Sequence, residues 1–194
     1  MKIGRLILRF VIGGYFFGHG TQKLFGWFGG YGPEGTGQFF ESLGLRPGKR
    51  HAIAAGAAEA GGGALLIAGA ATPLAATVLT STMLTAINRV HLKNGPWVTN
   101  QGYEYNLVLI AAVLALAETG PGSPSVDSAI GAKWHGPKWA ILSLLGGIAG
   151  AAGAHLVAES GPAAPAPEPA PQEAEAAAGA VAPEAPDATN PESA

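Results

Sequence analysis

Residues 16 to 32, FFGHGTQKLFGWFGGYG, end the first apolar run of the chain with three polar side chains and a cluster of aromatic residues. His19, Gln22 and Lys23 stand three and four positions apart, so a helix would place all three on one face. Tyr15 lies one turn earlier on the same face, and the rest of the run is apolar. This pattern predicts an apolar helix that turns one polar face toward a pocket inside a helical bundle.

The composition is typical of a membrane protein. Of the 194 residues, 48% are hydrophobic, only 12% are charged and 30 are glycine, a balance that is too apolar for an ordinary soluble domain. The sequence contains no cysteine, which excludes disulfides, thiolate metal ligands and thiol redox centres. Any electron chemistry therefore depends on a bound cofactor or on another subunit.

Five apolar segments cover most of the chain, at residues 4 to 28, 51 to 71, 73 to 92, 103 to 119 and 138 to 158. Each is close to the roughly 20 residues that a helix needs to cross a bilayer. Alternating strand patterns are absent, so we predict an all-α integral membrane protein: a four-helix bundle followed by a fifth apolar helix. The glycine-rich link between the first two segments predicts a short interfacial helix.

The sequence divides into three predicted parts. Residues 1 to 128 are expected to form the four-helix membrane domain, and residues 129 to 159 an additional transmembrane or interfacial helix. Within that helix, Gly146 and Gly150 stand at GxxxG spacing and predict a face that another helix can approach closely. Residues 160 to 194 are rich in Pro, Ala and Glu and contain no basic residue, which predicts a disordered acidic tail.

Glu59 is the ionisable residue whose position in the sequence says most about the interior of the bundle. It lies eight residues after His51, which corresponds to about 12 Å along a span of about 30 Å. An acidic side chain at the centre of a spanning helix costs about 2.5 to 3.5 kcal/mol on insertion scales, so we expect Glu59 to face the bundle interior. It would serve there either in ligand or proton binding or as a structural hydrogen bond between helices.

The third and fourth apolar segments add further polar residues. The third carries a polar stripe at spacings of four, three and three: Ser81, Thr85, Asn88 and His91. Glu104 opens the fourth segment. If neighbouring segments form antiparallel hairpins, His91 and Glu104 meet the end of the first helix at one membrane surface.

The candidate ligand-binding residues therefore come from four segments: His19, Gln22, Lys23, Glu59, Asn88, His91 and Glu104. The alternative for the residues of the first segment is anchoring at the membrane interface, and for His91 and Glu104 it is ordinary exposure near the membrane surface. His51, His135 and His155 receive no predicted role. No spacing motif predicts a metal site, a nucleotide site, a nucleophile elbow or nucleic-acid binding, and no catalytic residue can be named.

Five motifs occur in order between residues 5 and 128: HGTQKLFGWFGGYG, AAEAGGGALLIAG, HLKNGPW, GYEYN and GPGSPSVD. Their order and spacing resemble the DoxX family of bacterial integral membrane proteins. The resemblance implies a multi-pass four-helix bundle in the bacterial plasma membrane. In some relatives such a bundle is a subunit of thiosulfate:quinone oxidoreductase, and in others it belongs to a membrane-associated redox and detoxification assembly.

Three functions remain open at this point. In the leading hypothesis the chain is a redox-associated membrane subunit that binds a quinone, or a similar lipophilic compound, for a soluble or membrane-bound oxidoreductase partner. The second is a non-catalytic scaffold or assembly subunit, in which the small face of the fifth helix holds a partner. The third is a small transporter, which would require oligomers. Quinone is the one cofactor that these hypotheses imply, and the expected partners are the lipid bilayer, the oxidoreductase and a second copy of the chain.

Overall fold

The computed structural model describes residues 3 to 160, and in that part of the chain the protein is all-helical, without strands, as predicted. The helices are α1 (Ile3–Phe25), α2 (Gly32–Ser42), α3 (Gly48–Ala68), α4 (Thr72–Ala86), α5 (Glu104–Thr119), α6 (Val126–Ala129) and α7 (Pro137–Glu159). A π-helical turn, Ile87–His91, extends α4. The short interfacial helix predicted from the sequence corresponds to α2. Apart from Ser160, the predicted tail lies outside the described residues.

α1 and α3 pack against each other along a face of small residues. A Cβ at Gly20 would lie 2.2 Å from the backbone nitrogen of Ala60, and a Cβ at Gly13 would lie 2.8 Å from the carbonyl oxygen of Gly63. Neither position has room for a side chain, so the two backbones are in direct contact. This contact also brings Glu59, which precedes Ala60, against α1.

The apolar core lies where α3, α4 and α5 meet. Leu66, Leu79 and Leu116 come from these three helices and are completely buried. The absence of a side chain at Gly62 lets Leu79 approach α3, because a Cβ there would lie 2.8 Å from its Cγ. Phe16 completes this core from α1.

α7 packs against α4 through its glycines. A Cβ at Gly147 would lie 2.5 Å from Cγ2 of Thr80, and a Cβ at Gly150 would lie 2.7 Å from the hydroxyl oxygen of Ser81. The prediction that this face allows a close helix approach is confirmed. The expectation that it holds a partner subunit is wrong, because α4 of the same chain already occupies the face.

Arg9 joins three chain segments near the start of α1. Its buried guanidinium donates hydrogen bonds to the carbonyl oxygens of Leu66 and Ile67, at 2.9 and 2.6 Å, and to those of Pro121 and Pro124, at 3.1 and 2.8 Å. The last carbonyls of a helix have no partners within the helix. Arg9 supplies partners and a positive charge at this end of α3, where the helix dipole favours a cation.

Asp127 has the corresponding role at the start of α4. Its Oδ1 accepts a hydrogen bond from the backbone nitrogen of Ala71 at 2.8 Å, and its Oδ2 accepts from the nitrogen and hydroxyl of Thr72 at 3.2 and 3.0 Å. A distant residue thus caps α4 in the way that a local N-cap residue caps other helices. Arg9 and Asp127 together fix the link between α3 and α4 against the GPGSPSVD motif.

The outer surface of the bundle is strongly apolar. Large hydrophobic side chains are exposed along α1 and α7: Ile7, Phe10, Val11, Ile141, Leu145 and Ile148. Soluble monomers rarely expose such continuous apolar stripes. By length and composition, two of the described helices, α3 and α7, are apolar enough to cross a membrane. The sequence had predicted five segments of spanning length, but α4 has 15 residues before its π-helical turn and α5 has 16.

Candidate functional site

A cavity of about 660 Å³ lies between the helices, and α1, α2, α3, α4, α5 and α7 all contribute to its wall. Most of the lining is apolar, and its aromatic residues include Phe16, Phe39 and Phe40. Tyr15 lines the cavity, as the sequence suggested. Cavities of this size with a few polar groups are typical of small-molecule sites.

The central polar feature of the cavity is an ion pair between α1 and α3. Lys23 Nζ lies 2.6 Å from Glu59 Oε2, and the two side chains are 21% and 7% exposed. Lys23 Nζ also donates to the carbonyl oxygen of His19 at 3.4 Å. Both charged residues line the cavity. The structure therefore places Glu59 in the bundle interior and joins it to the polar face of α1.

His19 lies at the exposed rim of the cavity, and Gln22 orients it. Gln22 Nε2 donates to the carbonyl oxygen of Phe28 at 3.3 Å, so its Oε1 is the atom that faces His19 Nδ1, at 2.9 Å. In the neutral imidazole Nδ1 then carries the proton and Nε2 is left as an acceptor. Gln22 itself does not line the cavity; it acts on the site through His19.

The π-helical turn changes which residues of the third segment face the cavity. The backbone nitrogen of Leu92 bonds the carbonyl of Ile87, five residues earlier, and this inserts one extra residue into the turn. The polar stripe consequently passes from Ser81 and Thr85 to Arg89, which all line the cavity, whereas Asn88 is exposed and lies outside it. The sequence stripe assumed uninterrupted α-helical spacing, and the structure does not bring Asn88 into the site.

His91 and Glu104 separate in the structure. His91 lines the cavity, and its Nδ1 bonds the carbonyl oxygen of Gln101 at 2.7 Å. Glu104 is the first residue of α5, where the helix dipole favours a carboxylate, and it is not part of the cavity wall. Of the seven candidate residues, the structure thus gathers His19, Lys23, Glu59 and His91 around the cavity.

Several polar residues of the cavity wall, among them Arg89, Asn106 and His51, were not among the candidates from the sequence. Arg89 Nε donates to His155 Nδ1 at 2.8 Å, which joins the π-helical turn to α7. Asn106 is buried, and its Nδ2 lies 3.4 Å from the sulfur of Met83. His51 also lines the cavity. His155 and His51 therefore have contacts that their isolated positions in the sequence did not indicate.

α2 closes one side of the cavity with Phe39 and Phe40. On its outer side, the carboxylate of Glu34 forms an ion pair with Lys49 at the start of α3. The hydrogen bond from Lys49 lowers the pKa of the Glu34 carboxyl below its usual value. Both side chains are largely exposed, so this pair contributes little stability but holds α2 beside α3.

Comparisons of the sequence with known proteins assign the chain to a family. The sequence model of the DoxX family matches residues 4–92. The chain is 39% identical to CatD of Bacillus subtilis (strain 168) over 115 residues. The aligned region covers 59% of this chain and 79% of CatD, whose name describes it provisionally as an oxidoreductase. No solved structure matches the chain significantly. The resemblance seen in the sequence motifs is therefore confirmed, and the chain belongs to the DoxX family of membrane-associated proteins.

Proposed function

We propose that this protein is a multi-pass subunit of the bacterial plasma membrane that binds a quinone, or a similar lipophilic redox compound, for a partner oxidoreductase. The observation that carries the proposal is the apolar cavity of about 660 Å³ with the Lys23–Glu59 ion pair in its wall. Its volume suits a single ring with part of an apolar chain. Its aromatic lining suits the faces of that ring.

The polar groups of the wall match the two oxidation states of a quinone. The ammonium of Lys23 has three donors, and two of them are directed at Glu59 and at the carbonyl of His19. The third donor is available for a quinone carbonyl oxygen. Nε2 of neutral His19 is an acceptor, which suits the hydroxyl group of a quinol. Glu59 is the carboxylate beside Lys23 that would take up or release a proton.

The partner supplies the electrons in this proposal. The sequence has no cysteine and no recognisable cofactor motif, so its own residues can bind, orient and exchange protons with the ligand. The provisional oxidoreductase name of CatD agrees with such an association. The apolar outer surface of α1 and α7 supports a bundle that is surrounded by lipid, with α4 and its π-helical turn crossing together with the other long helices.

Binding of a short-chain quinone to the purified protein in nanodiscs tests the proposal. Wild type should bind saturably, and His19→Ala or Glu59→Gln should weaken binding about tenfold, which corresponds to the loss of about 1.4 kcal/mol. His135→Ala is the matched control, because His135 lies outside this cavity. Bound quinone should also be extracted from wild-type protein purified in mild detergent.

Two results would contradict the proposal. One is the absence of saturable quinone binding in protein that retains its helical circular dichroism and monodisperse elution. The other is equal loss of binding in His135→Ala and His19→Ala, since that would mean that the substitutions act on the fold and not on the cavity.

A further inference from the structure

Arg89 stands at the junction of three elements in the cavity wall. It belongs to the π-helical turn after α4, and its Nε donates to His155 of α7 at 2.8 Å. Its Nη1 also lies close to Gly44, where a Cβ would be 3.5 Å away, just beyond the end of α2. The side chain is thus held between α2 and α7 while it lines the cavity.

The charge of Arg89 has no carboxylate partner within residues 3 to 160. Lys23, the other cation of the wall, is paired with Glu59, the one carboxylate that lines the cavity. Glu159 follows His155 by one turn of α7 but forms no ion pair with Arg89 in the described part of the chain. His155 Nδ1 accepts the bond from Arg89, so it does not neutralise the guanidinium. Lys23, Arg89 and Glu59 together give the wall one excess positive charge.

An excess cation in an apolar cavity costs free energy unless an anion accompanies it. The Nη1 and Nη2 groups of Arg89 make no hydrogen bond within the described chain. A guanidinium with these two nitrogens free matches the two oxygens of a carboxylate in a bidentate arrangement. The remaining wall offers apolar surface from Val90, Leu109 and the α2 aromatics.

We propose that the cavity binds an amphipathic carboxylate, with its anionic head on Arg89 and its apolar body along the lining. The inference rests on the proposed function in one respect, namely that the cavity is a ligand site. It assigns the ligand a negative charge, which a quinone lacks, and a contact with Arg89, which is not a member of the Lys23–Glu59 pair. The same cavity thus takes an acidic apolar compound at its Arg89 end.

Equilibrium dialysis against the whole protein in nanodiscs of a zwitterionic phosphatidylcholine provides the test, with empty nanodiscs as the blank. The probes are decanoate, its neutral counterpart decanol, and decyl phosphate. Decanoate should bind wild type saturably above the blank, and Arg89→Gln should weaken it about tenfold or more. Arg89→Lys should weaken it less, because the charge remains. Lys93→Gln is the control, since Lys93 is an exposed cation two residues after His91 and outside the cavity wall.

The outcomes separate this proposal from the quinone proposal. Decanol has no charge to pair with Arg89, so its binding should stay within about twofold of wild type in Arg89→Gln. The proposal would be overturned if wild type and Arg89→Gln bound decanoate equally. It would also be overturned if wild type bound decanoate and decanol equally. Neither result would affect the quinone proposal. Tighter, Arg89-dependent binding of decyl phosphate than of decanoate would overturn the carboxylate assignment.

Discussion

The ammonium nitrogen of Lys23 lies 2.6 Å from Oε2 of Glu59, across the interface of α1 and α3. Removing one partner of a buried ion pair costs about 3–5 kcal/mol, because the other charge remains buried and unpaired. The side chain of Glu59 is 7% exposed and that of Lys23 is 21% exposed. Lys23→Ala should therefore lower the free energy of unfolding by about 3 kcal/mol, near the lower end of that range.

The double variant Lys23→Met/Glu59→Leu separates stability from ligand binding. Its apolar pair leaves no buried charge, so most of the lost unfolding free energy should return, while quinone binding stays weak. Denaturant titration in detergent measures the first quantity and the nanodisc assay measures the second. If Lys23→Ala were as stable as wild type, the ion pair of Lys23 and Glu59 would have to be freely accessible to water.

The contact of Gly20 with α3 predicts a strong effect of the smallest substitution. Gly20→Ala should destabilise the bundle, because its Cβ would lie 2.2 Å from the nitrogen of Ala60 and the two helices would have to separate. Gly18→Ala is the matched control: Gly18 lies in the same helix with no atom within 4 Å of its Cβ position. In water, alanine gains about 1 kcal/mol over glycine in a helix, so the control should be neutral or stabilising. Thermal unfolding in detergent should show a lower midpoint for Gly20→Ala but not for Gly18→Ala, and equal shifts of the two variants would contradict the direct contact of the two backbones.

The cap that Asp127 provides for α4 predicts a graded series. Asp127→Ala removes acceptors for three hydrogen bonds to Ala71 and Thr72, and leaves buried donors unpaired at about 1–3 kcal/mol each. Partial hydration of the freed donors limits the total loss to about 2–4 kcal/mol. Asp127→Asn keeps one oxygen acceptor and should lose less. Glu118→Ala, at an exposed acid near the same end of the bundle, should change the unfolding free energy by less than about 0.5 kcal/mol.

The pair of Glu34 and Lys49 predicts a defined pH dependence for α2. Lys49 lowers the pKa of Glu34 in the folded protein relative to its ordinary value of 4.5. The stabilisation is therefore complete above the ordinary value and is lost as the pH falls through the lower, folded value. A side-chain NMR titration should give a Glu34 midpoint below 4.5, and Lys49→Gln should return the midpoint to about that value. A midpoint that does not respond to Lys49→Gln would contradict the ion pair.

The absence of cysteine allows a direct test of the multi-pass arrangement. Lys93→Cys lies in the link between the π-helical turn and α5, and Lys133→Cys lies in the link between α6 and α7, both at exposed positions. If α5 crosses the membrane, the two residues lie on opposite sides. A membrane-impermeant maleimide applied to intact cells should then label one variant, and should label the other only after the membrane is permeabilised. Labelling of both variants from the same side would contradict a spanning α5.

The helices of this protein could be read from its local sequence pattern. Apolar runs bounded by glycine and proline predicted the long helices, and the glycines of α7 predicted a close helix approach. Hydrophobicity and helix breakers act over a few neighbouring residues, so a single sequence carries this information. The polar face of α1 and the interior position of Glu59 could be predicted for the same reason, since an acid is costly when it faces lipid.

The pairing of particular side chains was decided by the tertiary structure. Arg9 bonds four carbonyls on two segments that are more than 50 residues away, and no local pattern indicates such a partner. Arg89 replaces Asn88 in the cavity wall because a π-helical turn shifts the register, whereas the sequence stripe assumed regular α-helical spacing. The partner of Lys23 and the occupant of the α7 glycine face likewise depend on how whole helices pack, because packing joins residues that are distant in the chain.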